Sequence, residues 1–311
     1  MDNFTWFTGV IEDIMDPLEM NRVRVRCFGF HTDNKALIKT EDLPWASVMM
    51  PTNSASTSGV GSTPHRLLPG SWVVGFFRDG KSAQDPIIMG SIASMFDEQP
   101  DTGYGFSDPN ANYPKEDYIS EPDVNRLARG KDTEKELVKT KNDTLTKTVA
   151  TANNASDAWD EPKSPYDAKY PHNAVTETTS GHFIEVDDTP KAERIHEYHK
   201  SGTFREVHPD GTIVTRIVGD DYLIVANDNN VNIKGNVNLT IDQNCTTYIK
   251  GNWDIQVDKD MTMTIGGNQT VTIAKEHNET VKGSSTTNVS GNFARNSDSH
   301  IEDNAPRIDH N

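Results

Sequence analysis

The side chains able to do chemistry fall into three groups along the 311 residues of this chain. His196, His199 and His208 lie close together, with Asp187 and Asp188 just upstream. Such a set could ligate a metal or run acid–base catalysis. His196 and His199, however, are three residues apart, which on a strand places them on opposite faces, so one chain cannot bring both to one ion. Asp187-Asp188 abuts Thr189-Pro190, and an Asp beside such a turn commonly bonds its own backbone. Neither arrangement meets the geometric requirements of a site, so no catalytic residue, metal or other cofactor is expected here. The second group is Arg22, Arg24 and Arg26, alternating with Val23, Val25 and Cys27. Strict alternation marks a half-buried strand. Its basic face could receive an acidic partner or simply be solvated, while Cys27 shares the apolar face and reads as a small buried hydrophobe. The third group, His300 and His310 flanking Pro306, closes the chain.

Composition narrows the function classes. Acidic residues outnumber basic ones, 47 to 30, giving a net charge of -17. That excludes nucleic acid as a partner, because phosphate binding needs clustered Lys and Arg. Hydrophobic content is 34% and mean hydropathy is -0.68, low for one large globular core. Cys27 and Cys245 stand far apart with no CxxC or Cys/His spacing, so neither a disulfide framework nor zinc is expected. No signal-peptide pattern and no 18-residue apolar run is visible, so synthesis in a cytoplasm without a signal peptide is the expectation.

The element that organises the rest is a repeat. From Gly211 to Asp298 the chain keeps an eight-residue beat for eleven units. The seventh position is β-branched and aliphatic ten times running, at Ile217, Val225, Ile233, Ile241, Ile249, Val257, Ile265, Ile273, Val281 and Val289. Gly211, Gly219, Gly235, Gly251, Gly267, Gly283 and Gly291 fill the first position. A short fixed period signals a repeat architecture. Positions five and seven are often both apolar, as in Leu239/Ile241 and Val271/Ile273, and period two means strand. Glycine after each strand supplies a corner that a Cβ would crowd. A single chain of this kind cannot close a core. Three chains around one axis bring three seventh positions together at each level and pair every exposed edge. Ten such side chains give on the order of 15–30 kcal/mol of apolar burial per chain, nearly all of it in the trimer. An obligate homotrimer is predicted.

Upstream, five strand-like runs (6–13, 22–28, 43–50, 71–77 and 86–92) suit a small OB-type barrel over residues 1–97. Residues 98–180 read as a polar, Pro-rich linker, ordered by contact or flexible, with a short charged helix over 123–141 capped by Asp123 and holding Leu127 and Leu137, and irregular chain over 142–165. Residues 181–218 read as consecutive hairpins forming a collar, with strands at 182–186, 193–198, 203–207 and 212–218. The β-helix then spans 219–292 and the tip 293–311. The fold class is all-β.

The runs WFTGVIEDIMDPLEMNRVRVRCFGFH, LPWASVMMP and GFSDPN resemble the N-terminal OB domain of the baseplate central-spike proteins of T-even-type contractile phages. The V/I-x-G octads resemble the same family's triple-stranded β-helix, and the collar is similar to the stretch that leads into it there and in VgrG spikes. Asn21 stands where that family usually has Gly, and Asn tolerates a left-handed conformation. The resemblance implies a structural, membrane-piercing spike in the virion tail baseplate, driven through the host outer membrane when a sheath contracts. Its partners would be a trimeric hub protein bound through the OB domain, with Arg22, Arg24 and Arg26 as candidate contacts, and a PAAR-type tip protein at the C-terminus near His300, Pro306 and His310. Some phage tips hold a metal on the three-fold axis through a His-x-His pair, which this tip lacks. Relatives carry a muramidase domain between barrel and spike. Here about 80 linker-like residues cannot bury such a core, so no enzyme is expected. A VgrG-like spike of a type VI secretion or tailocin system is the neighbouring reading. A trimeric β-helical tailspike enzyme acting on surface polysaccharide is the alternative of another class, but eight-residue turns leave no groove for a sugar.

Overall fold

The computed structural model describes residues 4–131, Lys141, 149–151 and 154–304. The chain divides into two units, Met1–Asn244 and Cys245–Asn311. In the first, strands β1 (Thr5–Asp13), β2 (Arg22–Cys27), β3 (Trp45–Val48), β4 (Trp72–Phe77) and β5 (Pro86–Ile92) close a barrel in the order β1-β2-β3-β5-β4. These are the five expected strands. Phe7, Ile11, Val23, Val25, Cys27, Ala46, Val73, Phe77 and Ile88 fill its core, and burial pushes the Cys27 thiol up to about 12. Closure depends on a close approach at Gly75, beside a register shift between β4 and β5. A Cβ there would stand 2.1 Å from the Ile87 carbonyl oxygen. Asn21 does take a left-handed conformation, with φ 62.

The segment after the barrel is ordered by contact. The Gly105 amide donates to the Asp33 carbonyl at 2.7 Å, the Phe106 amide donates to Glu12 Oε1 at 2.8 Å, and the Phe106 ring stacks on Phe28 at 4.1 Å. Of the helix expected over 123–141, residues 123–131 form bends and turns instead, and Lys141 is helical. Asp123, rather than capping a helix, accepts from the Ser94 amide and hydroxyl, and Leu127 packs beneath Phe183 instead. Residues 132–140, with Leu137, lie outside the described residues. Within the stretch expected to be irregular, β6 (Val149–Thr151) and β7 (Asn154–Trp159) form a hairpin.

The collar is a five-stranded antiparallel meander: β8 (Asn173–Glu177), β9 (Phe183–Asp187), β10 (Arg194–Tyr198), β11 (Phe204–Val207) and β12 (Ile213–Arg216). Four of these are the expected hairpin strands; β8 falls in the stretch read as linker. The sheet inverts the usual sidedness. Phe183, Glu185, Asp187, Arg194, His196, Phe204 and Glu206 face the interior, whereas Ile184, Val186, Ile195 and Ile213 are exposed.

Beyond β12 no further strand forms among the described residues of either unit. The chain instead runs extended between bends at 218–219, 226–227, 234–235 and 242–243 in the first unit. In the second they recur at 250–251, 258–259, 266–267, 274–275, 282–283, 290–291 and 298–299. Each bend takes the eighth position of one octad and the first of the next, so the glycines do sit at corners. The steric reason expected for them is absent within the chain. A Cβ at Gly219, Gly235, Gly251, Gly267, Gly283 or Gly291 meets nothing within 4 Å, and none of these has a left-handed φ. Any crowding there has to come from outside the chain.

Candidate functional site

The octad column is the first candidate. An extended strand alternates its faces, so positions three, five and seven of each octad look one way. The column residues Ile249, Ile265 and Val289 are 42%, 45% and 47% exposed, against 75% for Leu239 at position five. Ile224 and Tyr248, at position six on the opposite face, reach 89% and 81%. Within each unit the chain thus half-covers every column residue and leaves a line of aliphatic surface in the open. Soluble proteins rarely carry contiguous apolar surface of that extent unless it is an interaction site. The polar residues between are mostly Asn, Thr, Asp and Lys on exposed chain, with Glu276, His277 and Glu279 together in one octad. His300 is 73% exposed on its side chain, 3.9 Å from Glu302; Pro306 and His310 lie outside the described residues.

The second candidate is a buried ionic cluster on the inner face of the collar. Glu206 accepts from Lys141 Nζ at 2.5 Å, Arg194 Nη1 at 2.5 Å and Ser164 Oγ at 2.6 Å. Glu185 accepts from Asn173 Nδ2 at 2.9 Å and Arg194 Nη2 at 3.2 Å, and lies 2.9 Å from His196 Nδ1. Burial alone would raise the Glu206 carboxyl, but the Lys141 charge and hydrogen bonds from Lys141 and Ser164 outweigh it and hold it at about 2. Burial pushes the His196 imidazole below its ordinary value against the pull of Glu185. Two carboxylates thereby satisfy two cations in a water-poor place. Removing any one member would strand the others, which makes such a cluster a fixing device.

A cavity of about 710 Å³ is lined by His65, Trp72, Phe96, Tyr113, Tyr118 and Glu177 among others, and none of the cluster reaches it. Of the histidines considered above, His196 belongs to the cluster and His208 approaches Glu206 at 3.4 Å. His199 instead packs its ring on His182 at 4.4 Å. Asp187 accepts from the Thr189 amide at 3.0 Å, the expected turn bond, and also lies 3.7 Å from Arg194. No group of three or more His, Cys, Asp or Glu is placed to hold a metal among the described residues. Cluster membership was hidden in the sequence because its residues come from separate strands and from Lys141 and Ser164, with no local motif. The one available signal was the run of charges at alternate positions 185, 187, 194, 196 and 206.

The arginine face on β2 is not an open docking surface. Arg26 is fully buried, bonded to Glu12 at 2.6 and 3.1 Å and to the Thr32 and Ile38 carbonyls. Arg22 pairs with Asp16 at 2.6 Å, and that guanidinium holds the Asp16 carboxyl well below the usual range. Arg24 donates to the Leu43 carbonyl and lies over the Trp45 ring at 4.4 Å. The alternation was real, but loops fold over the second face and use the charges internally. Glu12, which also accepts from Thr40 and the Phe106 amide, is the residue that sequence reasoning missed there.

With this geometry in place, comparison with known proteins is informative. Residues 29–193 match the family described as Gp5 N-terminal OB domain. Residues 219–299 match the Bacteriophage T4 gp5 C-terminal trimerisation domain. The protein named Gp5 of Vibrio phage KVP40 is 40% identical over 278 residues, covering 80% of this chain and 66% of that protein. The pre-baseplate central spike protein Gp5 of Enterobacteria phage T4 is 42% identical over 119 residues, 37% of this chain and 20% of its own. The matches therefore span less than two thirds of either relative.

Proposed function

This chain belongs to the Gp5 family of phage baseplate spike proteins, and on that footing we propose that it is the central piercing spike of a contractile tail. The trimerisation-domain match over 219–299 supports a homotrimer. The observation that carries the reading is the column itself: ten aliphatic side chains at eight-residue spacing, about half exposed on one chain, with a bend at every corner. Three copies would cover that column and pair the open strand edges with one another. The product is a narrow hydrogen-bonded prism whose outer surface is Asn, Thr and charged side chains. Its work is mechanical: sheath contraction drives it through the host outer membrane, with no catalysis of its own. The barrel mounts it on a trimeric hub protein, and a PAAR-type protein caps the C-terminal end without need of a tip metal. Assembly takes place in the host cytoplasm. At three times -17 the trimer is strongly anionic, which discourages adhesion to anionic envelope surfaces during passage.

Two measurements test this. Sedimentation velocity should return a trimer, and a stable monomer with intact β-structure would overturn the reading. A zymogram on peptidoglycan and capsule should stay blank; reproducible clearing would show an enzyme instead.

A further inference from the structure

One octad breaks the chemistry of the face to which the column belongs. Positions three and five share that face with position seven. They hold Val237 and Leu239, Trp253 and Ile255, and Met261 and Met263 in three of the octads. All six are less exposed than Tyr222, Ile224 and Tyr248 on the opposite face. In the octad 275–282 the same two positions hold His277 and Glu279, while Val281 keeps its place in the column. Whatever covers the column therefore covers a carboxylate as well, and a covered carboxylate needs a compensating charge.

The repeat offers no lysine or arginine for it on that face. No arginine occurs over 219–290, and each of the lysines there, Lys234, Lys250, Lys259, Lys275 and Lys282, stands at the first or eighth position, at a bend. The octads on either side place Gln269 with Val271 and Ser285 with Thr287 at positions three and five. Arg295, at position five one octad further on, is paired with Asp303 at 3.1 Å.

We propose that His277 and Glu279 of three chains together bind one divalent transition-metal ion on the axis of the trimer. The proposal rests on the homotrimer reading above, because each chain supplies only two of the ligands. Alternate residues of a strand stand about 6.6 Å apart, close enough for both side chains to lean onto one ion. Three copies at one level bring three imidazoles and three carboxylates together, a mixed nitrogen and oxygen set that suits a first-row ion such as Zn²⁺. Glu276, at position two, looks the other way with Asn278 and Thr280. Without the ion, three like charges would face one another across the axis and push the chains apart. With it, the same level becomes a cross-link between all three chains.

The test uses the full chain, assembled with Zn²⁺ and freed of loose metal by gel filtration. Elemental analysis should return one zinc per trimer, and the double variant His277→Gln, Glu279→Gln should return none. Zn²⁺ at 100 times its dissociation constant should tighten the wild-type trimer about 100-fold over the metal-free protein. The concentration at half-dissociation in urea should then fall about 10-fold, and the variant should not respond. A trimer that holds no zinc and is indifferent to it overturns the site and leaves the homotrimer standing. Zinc that survives the double substitution sits elsewhere and overturns the site too. A monomer overturns both. If the double variant does not assemble, Cu²⁺ is loaded into the chain carrying His300→Ala and His310→Ala, and pulsed EPR counts the bound imidazoles. Three support the site; fewer overturn it.

Discussion

Replacing Ile265 by Ala removes one member of the column from each of three chains at once. An Ile→Ala change in a packed core costs about 2–5 kcal/mol. Ile265 is 45% exposed on the single chain, so roughly half of that cost belongs to assembly, about 1–2.5 kcal/mol per chain. Three-fold symmetry triples it to about 3–7 kcal/mol per trimer, or about 10²–10⁵ in the dissociation constant. For three chains separating together, the concentration at half-dissociation scales with the square root, so it should rise about 10- to 400-fold. Sedimentation velocity over a dilution series, in enough urea to bring the wild type into range, measures it. Tyr248→Ala is the comparison: Tyr248 is 81% exposed, on the opposite face of its strand, and should stay within about half a kcal/mol of wild type. If Tyr248→Ala dissociates the trimer and Ile265→Ala does not, the column faces solvent and the architecture inferred from it is wrong.

Other outcomes follow from the same geometry. Glu206→Gln should destabilise the collar by about 3–5 kcal/mol in chemical denaturation, because Arg194 and Lys141 lose the charge that compensates them. The wild type itself should weaken in acid. Glu206 titrates at about 2 against an ordinary 4.5. Its contribution is therefore complete above the unfolded value and is lost as pH falls through the folded one, about 3 kcal/mol in all. The variant should lack that slope. Gly75→Ala should cost the barrel more than about 3 kcal/mol in thermal melting, since the new Cβ would press on the Ile87 carbonyl. A thiol reagent should leave Cys27 untouched until the barrel unfolds, because the thiol is buried and titrates at about 12.

The barrel was legible because each strand alternates over a single core and each is bounded by turn residues: Val23, Val25 and Cys27 all point where their pattern places them. The repeat was legible because period is a property of sequence alone. The collar was readable as strands but not as faces. Ile184 and Val186 would be assigned inward by hydropathy, yet Glu185 and Asp187 are the buried ones. Apolar-in holds only for a sheet with one covered face, and the charged face is covered by Leu127, Lys141, Ser164 and Tyr166, from a stretch whose polar composition reads as linker. The β8 strand was missed for the same reason, since Asn173 and Glu177 carry no apolar signal. Arg26 misled because a long charged side chain can be fully buried once a carboxylate such as Glu12 stands opposite it.

The bends at every eighth residue have one more consequence, and it concerns alignment. Octads that resemble one another this closely give three chains many nearly equivalent ways to zip together, each displaced by one unit, because a slip of eight returns Val or Ile to every seventh position. Nothing in the repeat penalises such a slip except a few lost contacts at its ends. The collar does not repeat. Its sheet occurs once and is held by a charge cluster that each chain completes alone. A stagger of zero has to be set by a segment that does not repeat, and the collar is the folded segment of that kind directly upstream of the octads. A spike lacking the collar should still gather into threes, but with ragged ends.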